Sequence, residues 1–327
     1  MKTILRGAAA LALALALSAG HAGAQAPAYP SKPVRVVLPY SVGSGPDAVT
    51  RLVGEKLSKA WGQPLIVENK PGANGWLAIG DVKRAAPDGL SLVVVDNTHM
   101  TLHPHLYKKL PFDPVADFEP ASPVYTTNFF IVVSAKSPWN NVADLIADAK
   151  AKGGNQTYGT WGLGSVAHIG ASMFQTQTGT RMTHVPFKEL PQLYTAVATG
   201  EVDWAFGTAA TVAQLYQAKK VKLLALAAPK RLALYSGVPT VSEAGGPANF
   251  ELKTWVALFA PKGTPKAAID AINSGVAKAV AEPDVRKQFD TFGFEAWPAS
   301  AADLAQAVKA DTQRFESVVK MANITLD

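Results

Sequence analysis

The strongest constraint on this chain is an alternation of short β-rich runs with helix-spaced segments. VRVVLPY (34–40), LIVEN (65–69) and SLVVVD (91–96) are strand-length runs rich in valine, isoleucine and leucine. Between the first two, Val49, Leu52, Val53, Leu57 and Ala60 recur at helical spacing, and Gly62 supplies a stop. GWLAIGDVKRAAPDG forms a weaker helical stretch ended by Pro87 and Gly89. A second series follows in FFIVVS (129–134), TYGTW (157–161), THVPF (183–187), VDWAFGT (202–208) and VKLLALA (221–227), with helices expected near 141–151, 165–178 and 191–199. This pattern predicts an α/β fold with largely parallel sheets.

Two stretches break the alternation. HPHLYKKLPFDPVADFEPASP holds five prolines and reads as a surface connection, and SGVPTVSEAGGPANFE precedes WVALFAP (255–261). Crossings near 120–128 and 236–254 predict two α/β lobes with a cleft between them and a two-strand hinge. Two long helices close the chain. One begins near Pro265 and carries Ile269, Ile272, Val276 and Val280. The other begins after Ser300, with Asp303 in a capping-box pattern. The expected boundaries are a leader over 1–24, a first lobe over 25–126 and 252–327, and a second lobe over 127–251.

MKTILRGAAALALALALSAGHAGAQ has the layout of a secretory signal: Lys2 and Arg6, an apolar run from Gly7 to Leu17, then Ala22-Gly23-Ala24. The run is short of the roughly 20 residues a bilayer demands. Cleavage is expected after Ala24, which takes the formal charge from +6 to +4 as Lys2 and Arg6 leave. The chain contains no cysteine, which excludes disulfides, zinc-thiolate sites, a cysteine nucleophile and a lipid-anchored N-terminus. Export without disulfides fits a bacterial periplasm. The lysines are scattered, so there is no nucleic-acid stripe, and a mild positive field favours small anions.

VVLPYSVGSGPDAVTR runs from strand through glycine-rich turn to helix. Gly43, Gly45 and Ala48 match the dinucleotide spacing G-x-G-x-x-A, and Glu68 ends the second strand where a ribose-binding acid would sit. Pro46 interrupts that fingerprint, and an exported chain meets no ready nicotinamide pool. The underlying physics is broader. The first N–H groups of a helix lack intrahelical partners, the helix start is positive, and glycine admits close approach. Such a turn holds any small anion, a carboxylate included; the alternative is a tight turn without a ligand. YGTWGLGSVAHIG (158–170) repeats the design, with Ser165 a candidate N-cap. Both turns fall at carboxyl ends of strands, where open α/β sheets bind ligands.

These blocks resemble the Bug receptors, the periplasmic solute-binding proteins of tripartite tricarboxylate transporters. YPSKPVRVVLPYSVGSGPDAVTR, VENKPGANG, AAPDGLSLVV, LPFDPVADFEP, YGTWGLGSVAHIG, THVPFKE, TGEVDWAF, VPTVSEAG and WVALFAPKGTP follow in family order. The resemblance implies a two-lobed periplasmic binding protein of the Venus flytrap, type II-like class, each lobe a mainly parallel sheet flanked by helices. It implies a small carboxylate ligand (a di- or tricarboxylate or an aromatic acid), no catalysis, no cofactor, no metal and a membrane transporter as partner. It places Tyr40, Ser41, Gly43, Ser44, Gly45 and Asp47 around the ligand in the first lobe. In the second it places Thr160, Gly164, Ser165 and His168, with Lys188 on the far side. The chain departs from the family at Glu189, where glycine is usual. It departs again at Gly207, followed by Thr208, where an acid that suits a ligand amine is common. Ser44 adds a hydroxyl, and Trp161 replaces a small residue, either to stack on a flat ligand or to pack within the lobe.

Other residues carry two readings. His99 follows the third strand and is expected to reach the cleft as a neutral hydrogen-bonding group. His99, His103 and His105 cluster, and His-x-His can chelate a metal, but Pro104 sits between two of them and no carboxylate triad accompanies them. His168 either packs or meets the ligand. Asp47 either offsets the helix start or reaches the ligand through water, and Lys188 is either solvated or a counter-charge. Trp204 and Phe206 alternate on a strand and read as core. A hydrolase would need a nucleophile elbow, and GLGSVAH is not G-x-S-x-G. A receptor that presents its ligand to a membrane sensor would share the same cleft as one that serves transport. A monomer is expected, because the cleft must open freely.

Overall fold

The computed structural model describes residues 29–322 and residue 326. The expected leader and its cleavage after Ala24 lie outside the described residues. In chain order the elements are β1 (Val34–Leu38), α1 (Gly45–Trp61), β2 (Leu65–Asn69), α2 (Trp76–Lys83), β3 (Ser91–Asp96), α3 (His103–Leu106), β4 (Phe118–Asn128), β5 (Phe130–Ser134), α4 (Val142–Lys152), β6 (Thr157–Thr160) and α5 (Val166–Thr178). There follow β7 (Thr183–Pro186), α6 (Leu190–Thr199), β8 (Trp204–Gly207), α7 (Ala209–Gln217), β9 (Val221–Leu226), β10 (Lys253–Pro261), α8 (Lys266–Ala281), α9 (Pro283–Phe292), β11 (Phe294–Ala296) and α10 (Ala301–Ala322).

The local chemistry of α1 matches its position. Pro46 sits in its first turn, and Val49, Val53 and Leu57 are buried along one face. Gly62 ends it at φ 64°, donating its N–H to Ser58 O. Each fully buried aliphatic side chain of this kind contributes roughly 1.5–3 kcal/mol.

The strands form two sheets, β11-β4-β10-β3-β1-β2 and β7-β6-β8-β5-β9. The run β2-β1-β3-β10-β4 therefore has the same order as β7-β6-β8-β5-β9, and the molecule is two-lobed. The expectation of largely parallel sheets needs correcting in detail, because both sheets are mixed. β1 is parallel to β2 and β3, and β6 to β7 and β8. β10 is antiparallel to β3 and β4, and β5 to β8 and β9. The cause is the route of the chain. The βαβ strands run toward the junction of the lobes, whereas β5 and β10 enter from that junction and run away from it.

Both faces of each sheet are covered. In the first sheet Val36, Leu38, Leu92 and Val94 pack with α1 and α8 through Val53 and Ile272. Val37, Val93 and Val95 pack on the other face with Ile79 of α2 and Leu304 of α10. Trp204 and Phe206 are core, 0% and 1% exposed. Burial on both faces explains why the centre of β3, and β1 apart from Arg35, read as apolar runs.

Two features join the lobes. The crossings lie side by side, with Leu252 donating to Ala227 O at 3.0 Å and Ala227 to Phe129 O at 2.8 Å. A separate apolar cluster unites Leu102 and Leu106 from beyond β3, Ile169 of α5, and Phe315, Val318 and Val319 of α10. The last helix thus touches both halves. The stretch read as an irregular connection contains β4. Its Pro120 and Pro123 stand opposite Phe259 and Ala257, at the two register shifts of the β4–β10 pair. Proline is tolerated in a strand at such irregularities.

Candidate functional site

The two glycine-rich turns are built alike. Aligned on their N-caps, Ser44 corresponds to Ser165, Gly43 to Gly164, Val42 to Leu163 and Tyr40 to Trp161. Ser44 has φ −68° and ψ 162°, and Ser165 has φ −68° and ψ 157°. Gly43 and Gly164 take φ of 81° and 75°, which glycine adopts without strain. Ser44 N–H donates to Ser41 O at 3.2 Å, and Ser165 N–H to Gly162 O at 3.4 Å.

The amides of the paired glycines are already engaged. Gly43 N–H donates to Asp47 Oδ2 at 2.8 Å, and Gly164 N–H to His168 Nδ1 at 3.3 Å. Among the described residues, no acceptor takes the N–H of Gly45, Asp47, Val166 or Ala167. These are the open donors of α1 and α5. Ser165 Oγ donates to Gly162 O at 2.7 Å and accepts from His168 N–H at 3.3 Å. Ser44 Oγ, by contrast, is buried and has no partner. Space above the turns is open, since a Cβ added at Gly43 or Gly162 would meet nothing within 4 Å.

Asp47 is 2% exposed and also accepts from Arg51 Nε at 3.0 Å and Asn69 Nδ2 at 2.8 Å. Burial would raise its pKa, but the bonds from Arg51, Gly43 and Asn69 outweigh burial and hold it below the usual value. It is thus a structural partner of the first turn as well as a helix-start charge. His168 is held down to about 4 by burial and by His184, whose ring centroid lies 4.8 Å away. His184 Nε2 is 2.6 Å from Thr160 Oγ1, and Thr160 Oγ1 also accepts from Gly162 N–H, so the Thr160 hydroxyl is engaged within the turn.

His99 is a hydrogen-bonding group tied to the end of its own strand. Its Nδ1 lies 2.8 Å from Asp96 Oδ1, and a Cβ on Gly75 would run into the ring. Tyr40 Oη donates to Asp96 Oδ2 at 3.0 Å. Burial pushes Asp96 up, but His99 and the bonds from His99 and Tyr40 hold it at about 2. Trp76 Nε1 donates to His103 Nδ1 at 3.4 Å, and burial and His99 hold His103 at about 3. No group of three or more His, Asp or Glu side chains among the described residues has the geometry of a metal site.

Trp161 stacks on Phe129, the residue between β4 and β5, with centroids 6.0 Å apart and planes at 26°. It packs against both cores of the second sheet. Thr208 caps α7, and its hydroxyl is engaged with Thr211. Ser41 and Lys188 are exposed.

The structure brings the turns of the two lobes near other elements across the cleft. A Cβ on Gly45 would lie 2.8 Å from Phe294 Cζ and 3.8 Å from Ala210 Cβ, so the starts of α1 and α7 adjoin. A Cβ on Gly164 would lie 3.1 Å from Tyr107 Oη, and Tyr107 accepts a bond from Asn74 Nδ2 at 2.8 Å. Asn69, Asp96, Asn74 and Tyr107 were not anticipated. Asn69 and Asp96 are the last residues of β2 and β3, and that position alone marks them. A cavity of about 360 Å³ beside Phe187, Pro191, Gln192 and Thr195 lies on α6, away from the open amides, and has no converging buried polar groups.

The family described as tripartite tricarboxylate transporter family receptor matches residues 49–324. A UPF0065 protein of Bordetella pertussis is 30% identical over 318 residues, covering 97% of each chain. Among solved structures, R. palustris Rpa4515 with adipate aligns at a TM-score of 0.85 and 29% identity, covering 91% of this chain and 99% of that one. MatC from Rhodopseudomonas palustris with bound malate aligns at 0.81 and 29% identity, covering 89% and 100%. With its two like-ordered sheets and the match running through most of its length, the chain belongs to the tripartite tricarboxylate transporter receptor family.

Proposed function

We propose that this protein is a periplasmic solute-binding protein that closes around one small carboxylate and delivers it to a membrane transporter of the tripartite tricarboxylate type. The observation that carries the reading is the pair of matching turns, one per lobe, each with unpartnered helix-start amides beside open space. Family membership and neighbours bound to adipate and malate support a carboxylate as the ligand class. The first lobe spans 25–126 and 252–327, the second 127–251, and Phe129 and Leu252 lie at the hinge. The donors are the amides of Gly45, Asp47, Val166 and Ala167 with Ser44 Oγ, rather than the engaged amides of Gly43 and Gly164 or the hydroxyls of Thr160 and Thr208. Charge-assisted hydrogen bonds contribute about 1.5–3 kcal/mol each, so several give micromolar affinity or better. Catalysis has no part in this reading.

The test is a panel of aliphatic di- and tricarboxylates and aromatic acids, followed by thermal shift and by ligand consumption. The reading expects one acid to raise the melting temperature without being consumed. Turnover of the acid, or a panel in which no carboxylate binds, contradicts it. Deleting the gene and measuring uptake of that acid tests delivery, and unchanged uptake excludes it.

A further inference from the structure

Each turn is braced from the strand beside it. The strand order places β2 next to β1 and β7 next to β6, and both pairs are parallel. From β2, Asn69 Nδ2 donates to Tyr40 O at 2.9 Å and to Asp47 Oδ1 at 2.8 Å, which ties down the first turn. His184 of β7 is the counterpart for the second turn. It stands opposite Tyr158 and stacks on that ring, with centroids 5.1 Å apart and planes at 25°. Thr160 lies two residues further along β6 and so on the same face as Tyr158. His184 Nε2 reaches it, 2.6 Å from the Oγ1 of a residue that is fully buried.

We propose that His184 is a positioning residue of the ligand site: through Thr160 it holds the second turn in the shape that leaves the Val166 and Ala167 amides open. This rests on the reading that amides of both lobes hold one carboxylate. The path from His184 to those amides is short. Thr160 Oγ1 accepts from Gly162 N–H at 3.1 Å. Gly162 O accepts from Ser165 Oγ at 2.7 Å, and Ser165 Oγ in turn accepts from His168 N–H at 3.3 Å. That cap decides which helix-start amide is spent and which remain for a ligand. The bond between His184 and Thr160 forms in either tautomer of the ring, because a hydroxyl both donates and accepts and keeps a lone pair for Gly162 N–H. Gly162 is the weak point of the path. Its φ is 120°, and a Cβ there would meet nothing within 4 Å. Its engaged backbone groups fix it, and its N–H depends on Thr160. A turn freed of its brace has to be ordered again when a ligand binds, which lowers affinity. The His168 ring also lies on His184, with centroids 4.8 Å apart and planes at 38°, so ring contact and hydrogen bond have to be separated.

Phenylalanine at 184 keeps a ring against Tyr158 and His168 but removes the bond, whereas glutamine keeps a polar group for Thr160. The experiment is calorimetric titration of wild type, His184→Phe, His184→Gln, Thr160→Val and the double variant His184→Phe with Thr160→Val. The titrant is whichever of adipate, malate, citrate and benzoate binds wild type, and amide hydrogen exchange is followed on the ligand-free proteins. His184→Phe and Thr160→Val are each expected to bind about three- to tenfold more weakly. The double variant is expected to lose no more than about twofold beyond either, because both remove the same bond. His184→Gln is expected to bind within about twofold of wild type. Gly162 N–H is expected to exchange faster in His184→Phe than in wild type or His184→Gln. Wild-type affinity in His184→Phe, equal losses in the phenylalanine and glutamine variants, additive losses in the double variant, or unchanged exchange at Gly162 overturns the assignment. Should His184→Phe fail to fold, Thr160→Val and Thr160→Ser decide: valine weakening the binding while serine retains it upholds the brace, and any other ranking overturns it. If wild type binds none of these acids, the carboxylate reading falls and this one with it; if wild type binds one and the variants rank otherwise, only the role of His184 falls.

Discussion

Replacing each turn glycine by alanine separates a local cost from one that acts between lobes. Gly43 and Gly164 have nearly the same left-handed backbone, φ 81° and 75°. A non-glycine residue there costs about 1–2 kcal/mol. At Gly43 the new methyl meets nothing within 4 Å, so that strain is the whole effect. It acts on the free and the bound protein alike. Gly43→Ala should therefore melt a few degrees lower, roughly 2–4 °C per kcal/mol for a chain of this order of size, and bind its ligand almost as wild type does. At Gly164 the methyl lies 3.0 Å from Leu326 Cδ1, 3.1 Å from Tyr107 Oη and 3.2 Å from Leu106 Cδ1. Leu106 and Tyr107 belong to the first lobe, so this crowding exists only with the lobes together. Overpacking of that kind costs about 1–3 kcal/mol, which becomes a loss of affinity of about 5- to 150-fold. Melting curves and calorimetric titration of both variants measure the two quantities. Equal affinities in the two variants, or a larger loss at Gly43, would refute the reasoning.

The two capping serines should respond in opposite ways. Ser44→Ala removes a buried hydroxyl without a partner and should raise the melting temperature slightly while weakening ligand binding; Ser165→Ala breaks the cap to His168 N–H and should lower stability by about 1 kcal/mol. Trp161→Ala removes the ring stacked on Phe129 at the crossing, so calorimetry should show similar losses for linear and aromatic acids; a loss confined to flat acids would mean the indole faces the ligand instead. His168 and His103 are held at about 4 and about 3, below the ordinary histidine value. The unfolded chain therefore takes up these protons first, and stability is full above about pH 6.5 and declines toward pH 4. Each withheld proton contributes up to about 1.4 kcal/mol per pH unit, and a flat melting temperature over that range contradicts both assignments.

Much of the fold was legible because its central strands are buried on both faces and its edge strands keep a β-branched, turn-bounded run. LIVEN and SLVVVD match β2 and β3 residue for residue. The helices expected near 141–151, 165–178 and 191–199 begin and end within a residue of those observed. What escaped notice lay where local signals conflict. β4 carries two prolines that suppress a strand reading, and only pairing with β10 makes them tolerable. α7 and α9 are short helices with two buried side chains each, Ala209 and Val212 in one and Val285 and Phe289 in the other, too few to print a helical period on the sequence. At the site, the turns and their N-caps were visible as glycine and serine patterns. The partners of the turn amides were not, because whether Gly43 N–H is open or bound to Asp47 depends on side-chain placement. The same holds for His99, whose carboxylate partner Asp96 is plain only once the residues after β3 coil back on it.

The central claim is that a carboxylate is held by helix-start amides from both lobes at once. Backbone amide chemical shifts, followed while titrating the acid that most raises the melting temperature, test it most directly. The account predicts large, saturable downfield shifts of the Gly45, Asp47, Val166 and Ala167 protons with one shared dissociation constant. Shifts confined to one turn, or centred on the α6 cavity beside Phe187, would contradict it.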